Sequence, residues 1–315
     1  MSPLQSVAVV STTEDKPKDS LPTVAIVVLN YNGKKLTENC LRSLEASPYP
    51  FKSIFVVDNA STDGSVAYLR SHFPTITFIE NKQNLGVTGG RNSGFKAAAT
   101  RGADFIFSLD NDARIDPYAI DELIAVAVKN PRIGIVGPKT YHGDDSGLLQ
   151  CTGGYITYTE NVTAEQGTDK CDRGQYDKIQ DVDYFPGCAF IARREVFTTL
   201  NFLDESFHGY GHEDTDFCTR AAHIGYRIVY VPKAVVWHGG SSTIGSYSPR
   251  KKYLEAINSM YYVRKYGNFF QRTKYFLYAV VGLIPACIIQ ARHNNQKAVF
   301  AKAKGLWHGL QKPIS

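Results

Sequence analysis

Two aspartates, Asp110 and Asp112, stand two apart at the end of the apolar run DFIFSLD (104–110). Carboxylates held that close repel each other, and a hard divalent cation completed by phosphate oxygens is the simplest compensation. An aspartate pair alone is weak evidence, because aspartates also cap helices. A second acidic group, in GYGHEDTDF (209–217), sets Glu213, Asp214 and Asp216 at the start of an expected helix. The helix dipole accounts for one acid there. Three exceed what capping needs, and one can take a proton from an attacking hydroxyl. His238 ends the run RIVYVPKAVVWH (227–238); a strand-end histidine is commonly structural, yet imidazole is also a common metal ligand. The segment NLGVTGGRNSGF (84–95) carries Gly86, Gly89, Gly90 and Gly94. Its spacing fits neither the GxGxxG fingerprint nor the GxxxxGK[ST] phosphate loop, which argues against nicotinamide dehydrogenases and P-loop NTPases. It supplies a helix entry poor in Cβ atoms where backbone N–H groups and Arg91 can face a diphosphate. The plainer alternative is a glycine-containing helix cap with a surface arginine.

These groups need a frame. Short apolar runs rich in Val, Ile and Phe recur at 24–30, 53–59, 76–81, 104–110 and 133–138, with helix-length segments at 34–46, 62–72, 88–101 and 117–129. Continuous rather than alternating apolar runs predict strands covered on both faces, and the βα alternation predicts a mainly parallel sheet flanked by helices. Ligands of such sheets bind outside the carboxyl ends of the strands. The polar endings there are Asn30, Tyr31 and Asn32; Asp58 and Asn59 before the turn STDGS; Asn81; and Asp110, Asn111 and Asp112. After about residue 140 the regularity stops. Short strands are expected near 151–159 and 179–184, then a strand running into a helix over 185–197, a helix over 212–226 and extended chain over 227–238.

The 315-residue chain is 43% hydrophobic and 21% charged, an ordinary globular composition that excludes collagen-like and wholly disordered chains. Its net charge of +5 hides an asymmetry. Residues 250–315 hold twelve Lys and Arg against one acid, Glu255, so the remainder is acidic, at −6. The six cysteines show no CxxC pair or dense framework and read as reduced thiols of a cytosolic protein. Residues 1–20 read as a disordered leader with no secretory signal. The uncharged stretch 275–289 is 15 residues long, short of the roughly 20 a spanning helix needs. A buried helix pair would account for it. The surrounding basic charge favours instead a monotopic segment on an anionic membrane. Nucleic acid is not expected as a partner, because no stacking-aromatic or recognition-helix signature accompanies the charge.

The motifs VLNYNG, VVDNASTDGS, NKQNLGVTGGRNSGF, SLDND, PGCAFIARREVF, HEDTDF and VWHGGSS, in that order, resemble the inverting family 2 glycosyltransferases of the GT-A fold over roughly 24–265. The pattern looks most like the rhamnosyltransferase-like and galactofuranosyltransferase-like branch that builds bacterial polysaccharides on lipid carriers. The resemblance implies a nucleoside-diphosphate-sugar donor, dTDP-rhamnose or a UDP-sugar, and a glycan or polyprenyl-linked acceptor. It implies Asp58 on the nucleobase or ribose, with Asn30, Tyr31, Asn32, Asn59, Gly90 and Asn111 lining the donor site and Arg91 facing base or diphosphate. Asp110 and Asp112 then form the DxD motif, Asp110 meeting ribose or the metal through water, and His238 is the third ligand of Mn²⁺ or Mg²⁺. Asp214 matches the general base, with Glu213 and Asp216 orienting it or the acceptor. The expected organisation is a leader (1–20), a catalytic domain (21–249) whose nucleotide-sugar half extends to about 140, and a basic helical extension (250–315) that meets the membrane through 268–315 at its cytoplasmic face. Two other readings compete: a sugar-nucleotide nucleotidyltransferase, whose phosphate loop the chain lacks, and a catalytically silent membrane-attached subunit, against which the retained acids argue.

Overall fold

The structure, a computed structural model, describes residues 21–144, 146–240, 248–292 and 295–314. The expected leader and Ser241 and Ser242 of the last motif lie outside them. The first half alternates as its apolar runs require: β1 (Val24–Asn30), α1 (Lys34–Glu45), β2 (Lys52–Asp58), α2 (Ser65–His72), β3 (Thr77–Glu80), α3 (Gly86–Thr100), β4 (Phe105–Asp110), β5 (Ala113–Ile115), α4 (Ala119–Ala127) and β6 (Ile133–His142). The irregular middle holds β7 (Leu149–Cys151), β8 (Gly154–Ile156), β9 (Thr163–Glu165) and β10 (Gln180–Asp181). Then follow β11 (Ala189–Arg193), α5 (Arg194–Thr199), α6 (Glu213–His223), β12 (Arg227–His238) and three helices, α7 (Pro249–Tyr266), α8 (Phe269–Arg292) and α9 (Gln296–Gln311).

One sheet runs in the order β10-β12-β6-β11-β4-β1-β2-β3. Strand β1 lies between β2 and β4, parallel to both, with Asn30 opposite Asp58 and Leu29 opposite Asp110. The polar ends of three strands therefore meet at one edge. Continuous burial holds for β1, whereas β3 is only half-buried, because it is the outermost strand and has a neighbour on one side only. Strand β11 enters antiparallel between β4 and β6, which interrupts the parallel order. β6 runs beyond the expected 138 and contains Pro138, whose partner Val231 sits where the register of β12 slips; at such an irregularity a missing N–H is tolerated.

Two apolar clusters cover the two faces of the sheet, one built with α1 and α4, the other with α3, α5 and α6. Helix α3 lies close on β1 and β2. A Cβ on Gly94 would fall 2.3 Å from Val27 Cγ1, and one on Gly90 would fall 2.6 Å from Leu29 Cδ1. Glycine is required there by proximity, as in other sites of close helix–strand approach. A third cluster joins Phe207 and Val162 to Tyr261, Tyr262 and Met260 of α7, Tyr275 and Ala279 of α8 and Leu306 of α9.

Candidate active site

Antiparallel pairing of β5 with β12 puts His238 opposite Ala113, and Gly239 N–H donates to the Asp112 carbonyl at 3.0 Å. Two segments distant in sequence are thereby locked so that His238 Nε2 lies 3.2 Å from Asp112 Oδ1 and 3.6 Å from Asp110 Oδ2. One candidate ligand atom from each of the three residues lies within 4.8 Å of the other two. The ring's other nitrogen, Nδ1, is 2.8 Å from Gln150 Oε1 on β7. An amide oxygen can only accept, so Nδ1 carries a proton in that bond and Nε2 faces the carboxylates, protonated and donating to them without a cation and bare if a cation takes the proton's place. That is the arrangement of a metal-binding histidine held by an outer partner. Two carboxylates and one imidazole, with Asp110 still partly open to solvent, suit Mg²⁺ or Mn²⁺. Burial opposes protonation of His238, but Cys188 and hydrogen bonds to Asp110 and Asp112 outweigh it and hold its pKa far above the ordinary value.

The turn 186–188 connects this cluster to the acids of α6. Cys188 carbonyl accepts from Asp110 N–H at 2.9 Å, and Gly187 N–H donates to Asp214 Oδ2 at 2.7 Å. The other Asp214 oxygen accepts from Thr215 N–H at 2.6 Å. Burial raises the Asp214 pKa, while these N–H donors work against the rise. Glu213 is pushed up as well, by burial and by the Asp214 charge, with Arg91 opposing. Asp214 keeps partial exposure, whereas Glu213 is buried. His212, at a left-handed φ of 70°, begins α6. Its Nε2 is 2.8 Å from Ser259 Oγ of α7, and burial pushes its pKa down to about 4.

Several expected site residues are engaged within the fold and do not face the open cleft. Arg91 does not face open space. It is buried, with Nη2 2.5 Å from Asp110 Oδ1 and Nη1 3.3 Å from Glu213 Oε1, and a Cβ on Gly187 would fall 2.2 Å from Nη1. A guanidinium so engaged ties β4 to α6 and has little left for a diphosphate. Asp216 is also absent from the cleft. It is fully buried and accepts from Tyr266 Oη (2.5 Å), Arg220 Nε (2.7 Å) and Lys265 Nζ (3.1 Å), fastening α7 to α6. About half a turn of helix carries it away from Asp214, because residues two apart on a helix do not share a face. Asn59 is buried and holds the entry to α3 through Asn84 Oδ1, the Gly86 carbonyl and Leu85 N–H; Gly90 serves the helix–strand contact.

The remaining donor-site residues do gather at the sheet edge. Asn30 donates to Asp58 Oδ1 at 2.8 Å and accepts from Thr37 Oγ1 at 2.7 Å; Asp58 Oδ2 accepts from Ser61 N–H at 2.8 Å. Asn32, at φ 52°, accepts from Thr62 N–H at 2.8 Å. Asn111 donates to Thr37 Oγ1 at 3.0 Å, and Tyr31 stays exposed. Reading the sequence missed Gln150 and Glu165. Glu165, on β9, has Oε1 3.5 Å from Tyr184 Oη and remains open to solvent; loss of hydration beside the surrounding protein raises its pKa, and the Asp214 charge adds to the rise. Both lie in the irregular middle, where no periodicity marks a facing side chain.

Comparison with known proteins bears on the family and the fold. The profile of glycosyl transferase family 2 matches residues 25–200, and that of the N-terminal domain of galactosyltransferase matches 171–240. The N-acetylglucosaminyl-diphospho-decaprenol L-rhamnosyltransferase of Mycobacterium tuberculosis is 26% identical over 251 residues, covering 72% of this chain and 78% of that protein. Among solved structures, the mannosyltransferase PcManGT of Pyrobaculum calidifontis, in complex with GDP-Man and Mn²⁺, has TM-score 0.58 at 18% identity and covers 93% of this chain and 91% of its own. TarS 1-349 of S. aureus has TM-score 0.55 at 17% identity, covering 76% of this chain and 64% of its own. The fold is thus the mixed α/β GT-A fold expected from the motifs, with a helical C-terminal extension.

Proposed function

Because the chain belongs to glycosyl transferase family 2 and is a glycosyltransferase, we propose that it is an inverting, divalent-cation-dependent transferase. Its donor is a nucleoside-diphosphate sugar, dTDP-rhamnose or a UDP-sugar, and its acceptor a hydroxyl of a glycan or polyprenyl-linked molecule. The observation that carries this reading is the junction at 186–188, which sets Asp110, Asp112 and His238 beside Asp214. The M. tuberculosis relative, named for rhamnosyl transfer to a decaprenol-linked sugar, favours a lipid-linked acceptor and a rhamnosyl donor.

Asp110, Asp112 and His238 hold the cation in this reading. When bound, it neutralises charge on the donor diphosphate so that the nucleoside diphosphate leaves without an acid. Asn30, Asp58, Asn32 and Tyr31 form the wall for the nucleoside. Asp214 takes the acceptor's hydroxyl proton; a carboxylate with a raised pKa is a better base near neutrality. The acceptor oxygen bonds to the anomeric carbon as the bond from that carbon to the phosphate oxygen breaks, and a single displacement inverts configuration. Arg91 and Glu213 position the two halves. Residues 21–249 make up the catalytic unit, and residues 250–315 hold it at the cytoplasmic face of the membrane, where a lipid-linked acceptor resides.

A thermal-shift series of nucleotide sugars with and without Mn²⁺ tests this. One donor is expected to raise the melting temperature with Mn²⁺ and to do so much less in EDTA. Equal shifts in both conditions would exclude the cation, and transfer with retained anomeric configuration would exclude the single displacement.

A further inference from the structure

Helix α8 is apolar on both sides, but the fold uses one. Tyr275 and Ala279 are buried in the third cluster, and Lys274 Nζ donates to the Thr157 carbonyl at 2.8 Å. The other face exposes Phe276, Leu277, Val280, Val281, Ile284 and Ile288, and Phe269 and Phe270 are 76% and 80% exposed at its start. The stretch Phe269–Ile289 is long and apolar enough to cross a bilayer, which the uncharged core 275–289 alone was not, and only 11% of its most apolar window is buried. Crossing lengthwise would strip Tyr275 and Ala279 from the cluster and leave Lys274 without its carbonyl. The packed face therefore keeps α8 on the protein.

Helix α9 adds a second, independent observation. Its exposed side carries Lys297, Phe300, Lys304 and Trp307, spaced by three, four and three positions, so that all four lie along one face. Phe300 is 74% exposed and Trp307 60%. On a water-facing helix alternating lysine and large aromatic side chains serve no packing purpose. At a lipid–water boundary both parts are satisfied: rings sit at headgroup depth and ammonium groups meet anionic lipid. Of the extension's twelve bases, Lys252, Lys265 and Lys302 pair with Glu255, Asp204, Asp216 and Glu160 within the fold; Lys297 and Lys304 face outward, where their charge complements an anionic surface and does not complement a second copy of the same face.

We propose that the outer faces of α8 and α9 form one docking surface for an anionic bilayer, lying in its plane, with the Lys297–Phe300–Lys304–Trp307 stripe at the headgroups and the apolar side of α8 deeper. The inference deepens the reading of a lipid-linked acceptor and rests on it for its purpose only.

The test is flotation of the full chain with phosphatidylcholine vesicles and with vesicles containing about a quarter phosphatidylglycerol. Wild type is expected to bind the anionic vesicles at least tenfold more tightly than the neutral ones. Phe300→Ser/Trp307→Ser and Lys297→Glu/Lys304→Glu are each expected to lose at least tenfold, with melting temperature unchanged because all four side chains are exposed. Undiminished binding by both double variants would overturn the proposal. So would a concentration-dependent dimer that Phe300→Ser/Trp307→Ser abolishes, since the face would then belong to a second copy. Turnover on a water-soluble acceptor should be unaltered in both variants. If wild type floats but transfers no sugar to any acceptor, the catalytic reading fails and this one stands.

Discussion

Replacing Gln150 with leucine isolates one link between the irregular middle and the proposed cation site. The Gln150 Oε1 to His238 Nδ1 contact is 2.8 Å, and the His238 side chain is 13% exposed. Leucine removes the acceptor and leaves a mostly buried N–H with nothing to bind. A lost neutral hydrogen bond of about 1 kcal/mol plus about 1–2 kcal/mol for the unsatisfied donor gives roughly 2–3 kcal/mol against the tautomer that points Nε2 at the carboxylates. That corresponds to about 30- to 150-fold weaker cation binding, overlapping the usual cost of losing an outer partner of a metal-bound histidine. Mn²⁺ titration followed by electron paramagnetic resonance, with nucleoside diphosphate present, reads the loss directly and needs no turnover. Gln150→Glu keeps an acceptor oxygen and should bind Mn²⁺ within about threefold of wild type or more tightly. His238→Ala sets the full effect of losing the ligand. Wild-type Mn²⁺ affinity in Gln150→Leu, alongside a large loss in His238→Ala, would refute the orienting role; wild-type affinity in both would remove His238 from the ligand set.

Asp214→Asn should lower transfer by at least about a thousandfold while donor binding stays within a few-fold, since proton abstraction is lost and the site's shape is kept; near-normal kcat would place the base elsewhere. Asp216→Asn should instead cost about 3 kcal/mol of stability in urea unfolding, because Lys265 and Arg220 lose a buried counter-charge. Its Mn²⁺–nucleotide affinity should stay within threefold, and a selective loss of that affinity would return Asp216 to the cleft. His212 has a folded pKa near 4 against 6.5 unfolded, so the folded state binds fewer protons and stability falls as pH drops from about 6.5 toward 4. His212→Asn, which tolerates the left-handed φ, should lose about 1–2 kcal/mol less than wild type between pH 7 and 5. Equal losses in both proteins would show that the ring does not titrate with folding.

The sheet edge was legible because it is a local pattern. Runs such as VAIVVLN and DFIFSLD announce buried strands, and the polar residues after them fall at one edge once the strands are parallel. Asn30, Asp58 and Asp110 needed no more than that. The order of seven motifs carried the family and the GT-A fold, which the family match and the structural neighbours bear out. Side-chain direction was not legible. Arg91 and Asp216 have the residue types of a phosphate-binding arginine and a catalytic acid, yet one lies between Asp110 and Glu213 and the other between Arg220, Lys265 and Tyr266.

What the sequence determined by itself was therefore the set of elements, the strand endings and the chemical types gathered at them, because hydrophobic periodicity and turn chemistry act over a few residues. Only the tertiary structure decided which groups meet. The insertion of β11 beside β4 brings Gly187 to Asp214, the pairing of β5 with β12 brings His238 to Asp112, and β7 brings Gln150 to His238. These contacts join positions 27 to 126 residues apart. No local preference encodes them; the packing of the whole sheet and its helices does.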